Sequence, residues 1–131
     1  TEFVIRYHSE RKSLPSISLS ANSGLITACA NDYGFSEIFK RQCESLIKNK
    51  DLVICLSTSG SSKNILNLLQ MCKDKNINHL LISGAKTPTH VRNDFNTYII
   101  DSVCTARIQE VQKVLLHSLC EKLDLIFSQN D

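Results

Sequence analysis

The stretch LVICLSTSGSSKNILNLLQMC, residues 52–72, changes character twice. It opens on a continuous apolar run with the β-branched Val53 and Ile54, the pattern of a strand buried on both faces in a parallel sheet. It closes on Ile65, Leu68, Leu69 and Cys72, which fall at i, i+3, i+4 and i+7 and so share one helix face. Between the two runs stand five hydroxyl residues, Ser57, Thr58, Ser59, Ser61 and Ser62, and a single glycine, Gly60. Strand, hydroxyl-rich turn and helix in this order form one repeat of an α/β fold.

Other segments extend the repeat. HLLIS (79–83) and TYIID (97–101) read as further strands, and SISLS (16–20) as an earlier one. Phe35, Ile38, Phe39, Leu46 and Ile47 make a helix face ahead of the 52–56 strand. The alternation predicts a three-layer α/β/α sandwich with a parallel sheet and right-handed crossovers. A long helix is expected from about Thr105 to Phe127. Its apolar stripe is Ile108, Val111, Leu115, Leu119 and Ile126, with Glu110, Lys113, His117, Glu121 and Asp124 opposite. SGAKTPTHVRND (83–94) reads as a mobile loop, because Gly84 and Pro88 interrupt regular structure.

Composition narrows the function. The chain has 131 residues, 42% hydrophobic, with 15 basic against 13 acidic side chains, which fits one globular domain and gives no polyanion-binding face. The nearest basic cluster, Arg11 and Lys12, reads as a solvated loop. No apolar run approaches the roughly 20 residues of a spanning helix, so no membrane role is expected. Six cysteines, irregularly spaced and without a CxxC pair, read as reduced thiols of a cytoplasmic protein, with disulfides left as the alternative because six is an even number. The opening TEFVIRYHSE, without an initiator methionine, is expected to be the start of a fragment.

The hydroxyl loop falls between the carboxyl end of a strand and the first turn of a helix, where open α/β sheets bind ligands. Helix-start amides and hydroxyls suit a phosphate oxygen. The GxxxxGK[ST] spacing of a nucleoside-triphosphate loop is missing, so a phosphomonoester is the expected ligand. The loop alone leaves a plain alternative open, in which one serine caps the helix and the others are solvated.

STSGSS with its strand and helix resembles the phosphosugar loop of the sugar isomerase (SIS) domain family. RIQEVQKVLLH (107–117), ANDYGF (30–35) and RYHSERKSLPSISLS (6–20) resemble the phosphoheptose isomerases within it. The likeness covers nearly the whole chain and implies a SIS fold, flavodoxin-like or Rossmann-like, over residues 1–131. It also implies an N-terminally incomplete copy, since the family's first helices and strand do not appear. The activity implied is interconversion of sedoheptulose 7-phosphate and D-glycero-D-manno-heptose 7-phosphate, for lipopolysaccharide or capsule, by a cytoplasmic homotetramer with sites between subunits.

Residue by residue, the likeness implies that Ser57, Thr58, Ser59 and Ser62 bind phosphate, that Glu2 and His117 are catalytic, and that Arg6, Asp32 and Gln109 contact substrate. Glu2, Gln109 and His117 resemble the donor set of zinc-binding members. Two departures stand out: Gln112 replaces a second histidine of many relatives, and GAKTPTH replaces a glycine-rich loop.

A carboxylate and an imidazole suit an aldose–ketose interconversion, which moves one proton between adjacent carbons and another between oxygens. Without the likeness Glu2 is an ordinary terminal glutamate, Asp32 an alternative cap for a helix near Phe35, and Arg6 a surface arginine. His117 lies about 180° from Ile108 by the helical period, which argues against a core histidine and leaves a solvent-exposed one as the plain alternative. His8, His79 and His90 read as surface or strand-end residues. Gln109 and His117 stand roughly 12 Å apart along a helix axis, a long reach for ligands about 2 Å from one zinc ion. Two non-isomerase readings remain: a binding protein similar to the DnaA initiator-associating protein, and a phosphosugar sensor.

Overall fold

The computed structural model describes residues 1–128, which form two compact units. Residues 19–109 make one; residues 1–18 with residues 110–128 make the other.

The first holds the sheet. α1 (Ser23–Tyr33) starts at Asn22, whose side chain accepts the Leu25 amide, and stops at Gly34 with φ 91°. A 3-10 turn at Phe35–Glu37 leads to α2 (Lys40–Leu46). Next come β1 (Leu52–Ser57), α3 (Lys63–Asp74), β2 (Asn78–Gly84), α4 (Thr89–Asp94), β3 (Thr97–Ile100) and α5 (Thr105–Phe127). The three strands are parallel in the order β1-β2-β3, with Leu52 opposite Asn78 and Ser57 opposite Ser83. The turn from α3 into β2 works because Asn76 takes φ 54°, a left-handed conformation asparagine tolerates. The expected parallel α/β architecture is what the chain adopts.

The core of this unit gathers Val53 and Cys55 of β1, Leu68, Leu69 and Cys72 of α3, Leu81 of β2 and Val91 of α4. Ile65, Phe39 and Ile47 pack against it. β1 nevertheless alternates: Val53, Cys55 and Ser57 are buried while Leu52 and Leu56 stay 55% and 42% exposed, so the run is not covered on both faces.

Several local expectations are corrected. SISLS forms no strand, since a strand exists by pairing and Ile17 is 69% exposed with no ladder partner among the described residues. Phe35 and Leu46 are exposed, because the expected single helix breaks into a 3-10 turn and α2. Asp32 caps nothing: it lies inside α1, a helix not foreseen, and accepts a hydrogen bond from Asn31. The supposed mobile loop 83–94 is packed, with Thr87 and Val91 buried and α4 filling its second half.

α5, which belongs to the second unit from Glu110 on, runs over the expected bounds, but its buried face is rotated. Val111 and Ile126 are exposed, whereas Gln112, Cys120 and Asp124 are buried. Asp124 therefore does not join the solvated face, and Arg11 is not a solvated loop residue. The two form an ion pair at 2.8 Å with side chains 4% and 1% exposed.

All six cysteines are free. Burial pushes the Cys55 thiol up to about 12 and the Cys72 thiol to about 11. Cys104 is exposed ahead of α5, and the Arg107 and Ala106 amides hold its thiol below the ordinary value. Iodoacetamide on the native protein near neutral pH is therefore expected to modify Cys104 well before the others, because the thiolate is the reacting form. Peptide mapping that found Cys55 labelled equally fast would refute this core. Among the described residues no helix is long and apolar enough to cross a membrane.

Candidate active site

The hydroxyl loop follows β1 and is buttressed from behind by the end of β2. The Ser57 hydroxyl accepts the Gly60 amide at 3.1 Å, folding residues 57–60 into a tight turn. Gly60 takes φ 63°, and a Cβ there would lie 2.5 Å from Thr87 Cγ2, so the loop backs directly onto Thr87. Thr87 Oγ1 lies 2.7 Å from both Ser83 Oγ and the Gly84 carbonyl, and the Ser83 hydroxyl donates to the Ser57 carbonyl. Arg92 closes the brace by donating to the Thr87 and Ala85 carbonyls. The GAKTPTH segment thus shapes the loop.

The front of the loop is open. Ser59, Ser61 and Ser62 are exposed, and Ser61 donates to Ser59 at 3.0 Å. Ser62 occupies the N-cap position of α3 in extended conformation, yet its side chain makes no cap hydrogen bond. The plain capping alternative therefore fails. The Ser62 carbonyl receives the Ile65 and Leu66 amides, which leaves the Lys63 and Asn64 amides without a protein acceptor among the described residues. No acidic side chain occupies the first turn of α3. The uncommitted Ser62 hydroxyl, free amides and the positive end of a helix favour an anion the size of a phosphate group.

The acid–base candidates belong to the second unit. Glu2 sits half-buried in an irregular strap, residues 1–18, that lacks helix or strand. His117 is exposed on α5 with its ring 5.7 Å from the Tyr7 ring. Arg6 is exposed, pairs with Glu10 at 3.2 Å and donates Nη1 to the Tyr7 carbonyl at 3.5 Å. Asp32 on α1 and Gln109 on α5 are both exposed, and no hydrogen bond or ion pair among the described residues joins either to another candidate. Of the other histidines, His79 is near the start of β2, and His8 and His90 are exposed, the His8 ring 4.1 Å from that of Tyr7.

Sequence reasoning missed Arg11 and Asp124. Asp124 Oδ1 accepts Arg11 Nε, and Oδ2 accepts the His8 and Ser9 amides at 2.6 and 2.9 Å. A clue was available: Cys120 and Phe127, one turn before and after Asp124, are apolar, so a carboxylate there lies on the inward side. The Ser9 amide, then Arg11 and the His8 amide, hold the Asp124 carboxyl below its ordinary value of 3.8 against the opposing effect of burial. A carboxylate with a depressed folded value contributes fully above the unfolded value and loses its contribution as pH falls through the folded one. Acid is thus expected to loosen this unit below about pH 3.8, an effect absent from Asp124→Asn; circular dichroism against pH would check it.

The zinc expectation meets a poor fit. Among the described residues no three His, Cys, Asp or Glu side chains come together as a metal-binding group. The implied set offers one carboxylate, one imidazole and one weak amide oxygen, short of the three or four strong donors zinc takes. No step below runs through a metal.

Residues 23–119 match the SIS domain family. The phosphoheptose isomerase of Campylobacter concisus is 37% identical over 126 residues, 96% of this chain and 67% of that one. That of Helicobacter pylori strain P12 is 38% identical over 130 residues, 99% of this chain and 68% of that one. A solved phosphoheptose isomerase from Francisella tularensis matches with a TM-score of 0.86 at 31% identity, covering 95% of this chain and 68% of that one. Another from Neisseria gonorrhoeae gives 0.79 at 26% identity, covering 86% and 62%.

Proposed function

Because this chain belongs to the SIS domain family and, within it, to the phosphoheptose isomerases, we propose that it interconverts sedoheptulose 7-phosphate and D-glycero-D-manno-heptose 7-phosphate. The observation that carries the proposal is the hydroxyl loop, whose uncommitted Ser62 side chain and free α3 amides face outward while Ser83 and Thr87 brace it from behind. Residues 1–131 are one SIS domain in this reading.

Roles follow from side-chain chemistry. Ser57, Thr58, Ser59 and Ser62 with the α3 amides hold the phosphate. Glu2 takes a proton from the carbon beside the carbonyl and returns it to the neighbouring carbon through an enediol. His117 moves the second proton between the two oxygens, and Arg6, Asp32 and Gln109 hold sugar hydroxyls. The enzyme works in the cytoplasm, in accord with its free thiols, as a homotetramer with sites between subunits, supplying heptose for lipopolysaccharide or capsule.

A non-catalytic binding protein similar to the DnaA initiator-associating protein is the competing reading. Glu2 and His117, both present, favour the enzyme. Incubating the purified protein with sedoheptulose 7-phosphate, with and without zinc, is expected to give the aldose product. Saturable binding without product would overturn the proposal in favour of a sensor or a protein-binding role.

A further inference from the structure

The strap that carries Glu2 has no ladder of its own, so something else must fix it. Arg11 donates Nη2 to the Glu2 carbonyl at 2.7 Å, Nη1 to the Phe3 carbonyl at 2.9 Å and the Lys12 carbonyl at 3.1 Å, and Nε to Asp124 at 2.8 Å. Asp124 takes the His8 and Ser9 amides from the same strap. One buried charge pair thus ties down the backbone at residues 2, 3, 8, 9 and 12 from a single point on α5.

We infer that Arg11 and Asp124 form a positioning clamp that sets Glu2 for proton transfer, rather than a device for stability. The inference rests on the catalytic reading of Glu2. Three facts argue for it.

A buried ion pair is a weak source of stability, since apolar side chains of similar volume often serve a fold equally well. What apolar side chains cannot do is hold carbonyls and amides of an irregular segment in place, and the planar fork of arginine suits that task. Finally, Asp124 lies seven residues after His117, two turns along the same helix face and roughly 10.5 Å on. The Tyr7 ring reaches that face as well, 5.7 Å from the His117 ring. The clamp therefore references Glu2 to the helix that carries its proton-transfer partner, and errors of about 1 Å in such placement can cost about 100-fold in rate.

The test uses Arg11→Met/Asp124→Leu and Arg11→Lys in the whole protein, with kcat, KM and melting temperature measured per folded enzyme. The double variant is expected to melt within a few degrees of the parent and to keep KM within about twofold, because the phosphate loop is untouched, yet to lose about 100-fold in kcat. Arg11→Lys keeps the ion pair but not the fork, and should lose about 10-fold in kcat with KM unchanged. Parental kcat in either folded variant overturns the clamp, and so does failure of both to fold, which would make the pair structural. Glu2→Gln separates the two readings: full kcat in that variant removes the catalytic role of Glu2 itself, whereas its loss beside parental clamp variants overturns the clamp alone.

Discussion

Glu2→Gln lowers kcat on sedoheptulose 7-phosphate by roughly 1,000-fold and leaves KM within about threefold, the scale of a lost general base. The amide keeps the shape and hydrogen-bonding reach of the carboxylate but cannot accept the carbon proton. Glu2 reaches its surroundings through its side chain, while Arg11 holds it by the backbone carbonyl, so the substitution should leave the strap in place. Steady-state kinetics with circular dichroism on the same preparation checks both halves. A variant with full turnover would transfer the carbon proton to another base.

Gly84→Ala is expected to damage the sheet unit strongly. A Cβ at this position would lie 2.3 Å from Ile108 Cδ1, 2.8 Å from the Thr58 carbonyl and 3.0 Å from the Ser102 carbonyl. The isoleucine tip can swing away; the two carbonyls belong to backbone. The Gly84 amide also donates to the Thr58 carbonyl at 3.3 Å, and the Ala85 amide to the Ser102 carbonyl at 2.9 Å, so the methyl would prise apart the turns after β1 and β3. Overpacking of this kind costs about 3 kcal/mol, and the hydroxyl loop distorts with it. The variant should melt on the order of 10 °C lower and raise KM at least about 10-fold. Gly24→Ala, whose new methyl meets only Asn22 Oδ1 at 3.3 Å, serves as the control. Equal melting temperatures for the two would show that the turns yield.

The sheet unit was legible where period and length agree. The runs at 52–56, 79–83 and 97–101 are short, apolar and bounded by turn residues, and the i, i+3, i+4, i+7 pattern of α3 has no strand counterpart. Illegible parts depend on partners distant in sequence. SISLS has the alternation of a strand, but alternation cannot supply a neighbour to pair with. Asp124 has the polarity of a surface residue and is buried because Arg11, 113 positions away, neutralises it. The hydroxyl loop was readable as a candidate site because backbone and side chains there act locally. Its brace by Thr87 was not, since only the strand register that sets Ser57 against Ser83 brings the two segments together.

That separation of 113 positions has a kinetic consequence. Closing so long a loop carries an entropic cost that local turns and neighbouring strands do not bear, and contacts of this kind form late. The sheet and its hydroxyl loop can assemble from segments close together in the chain. The strap cannot settle until the far end of α5 exists to receive it. During refolding the ability to hold a phosphosugar should therefore return before the ability to transform it, and the interval between the two is the time the chain takes to bring its distant ends together.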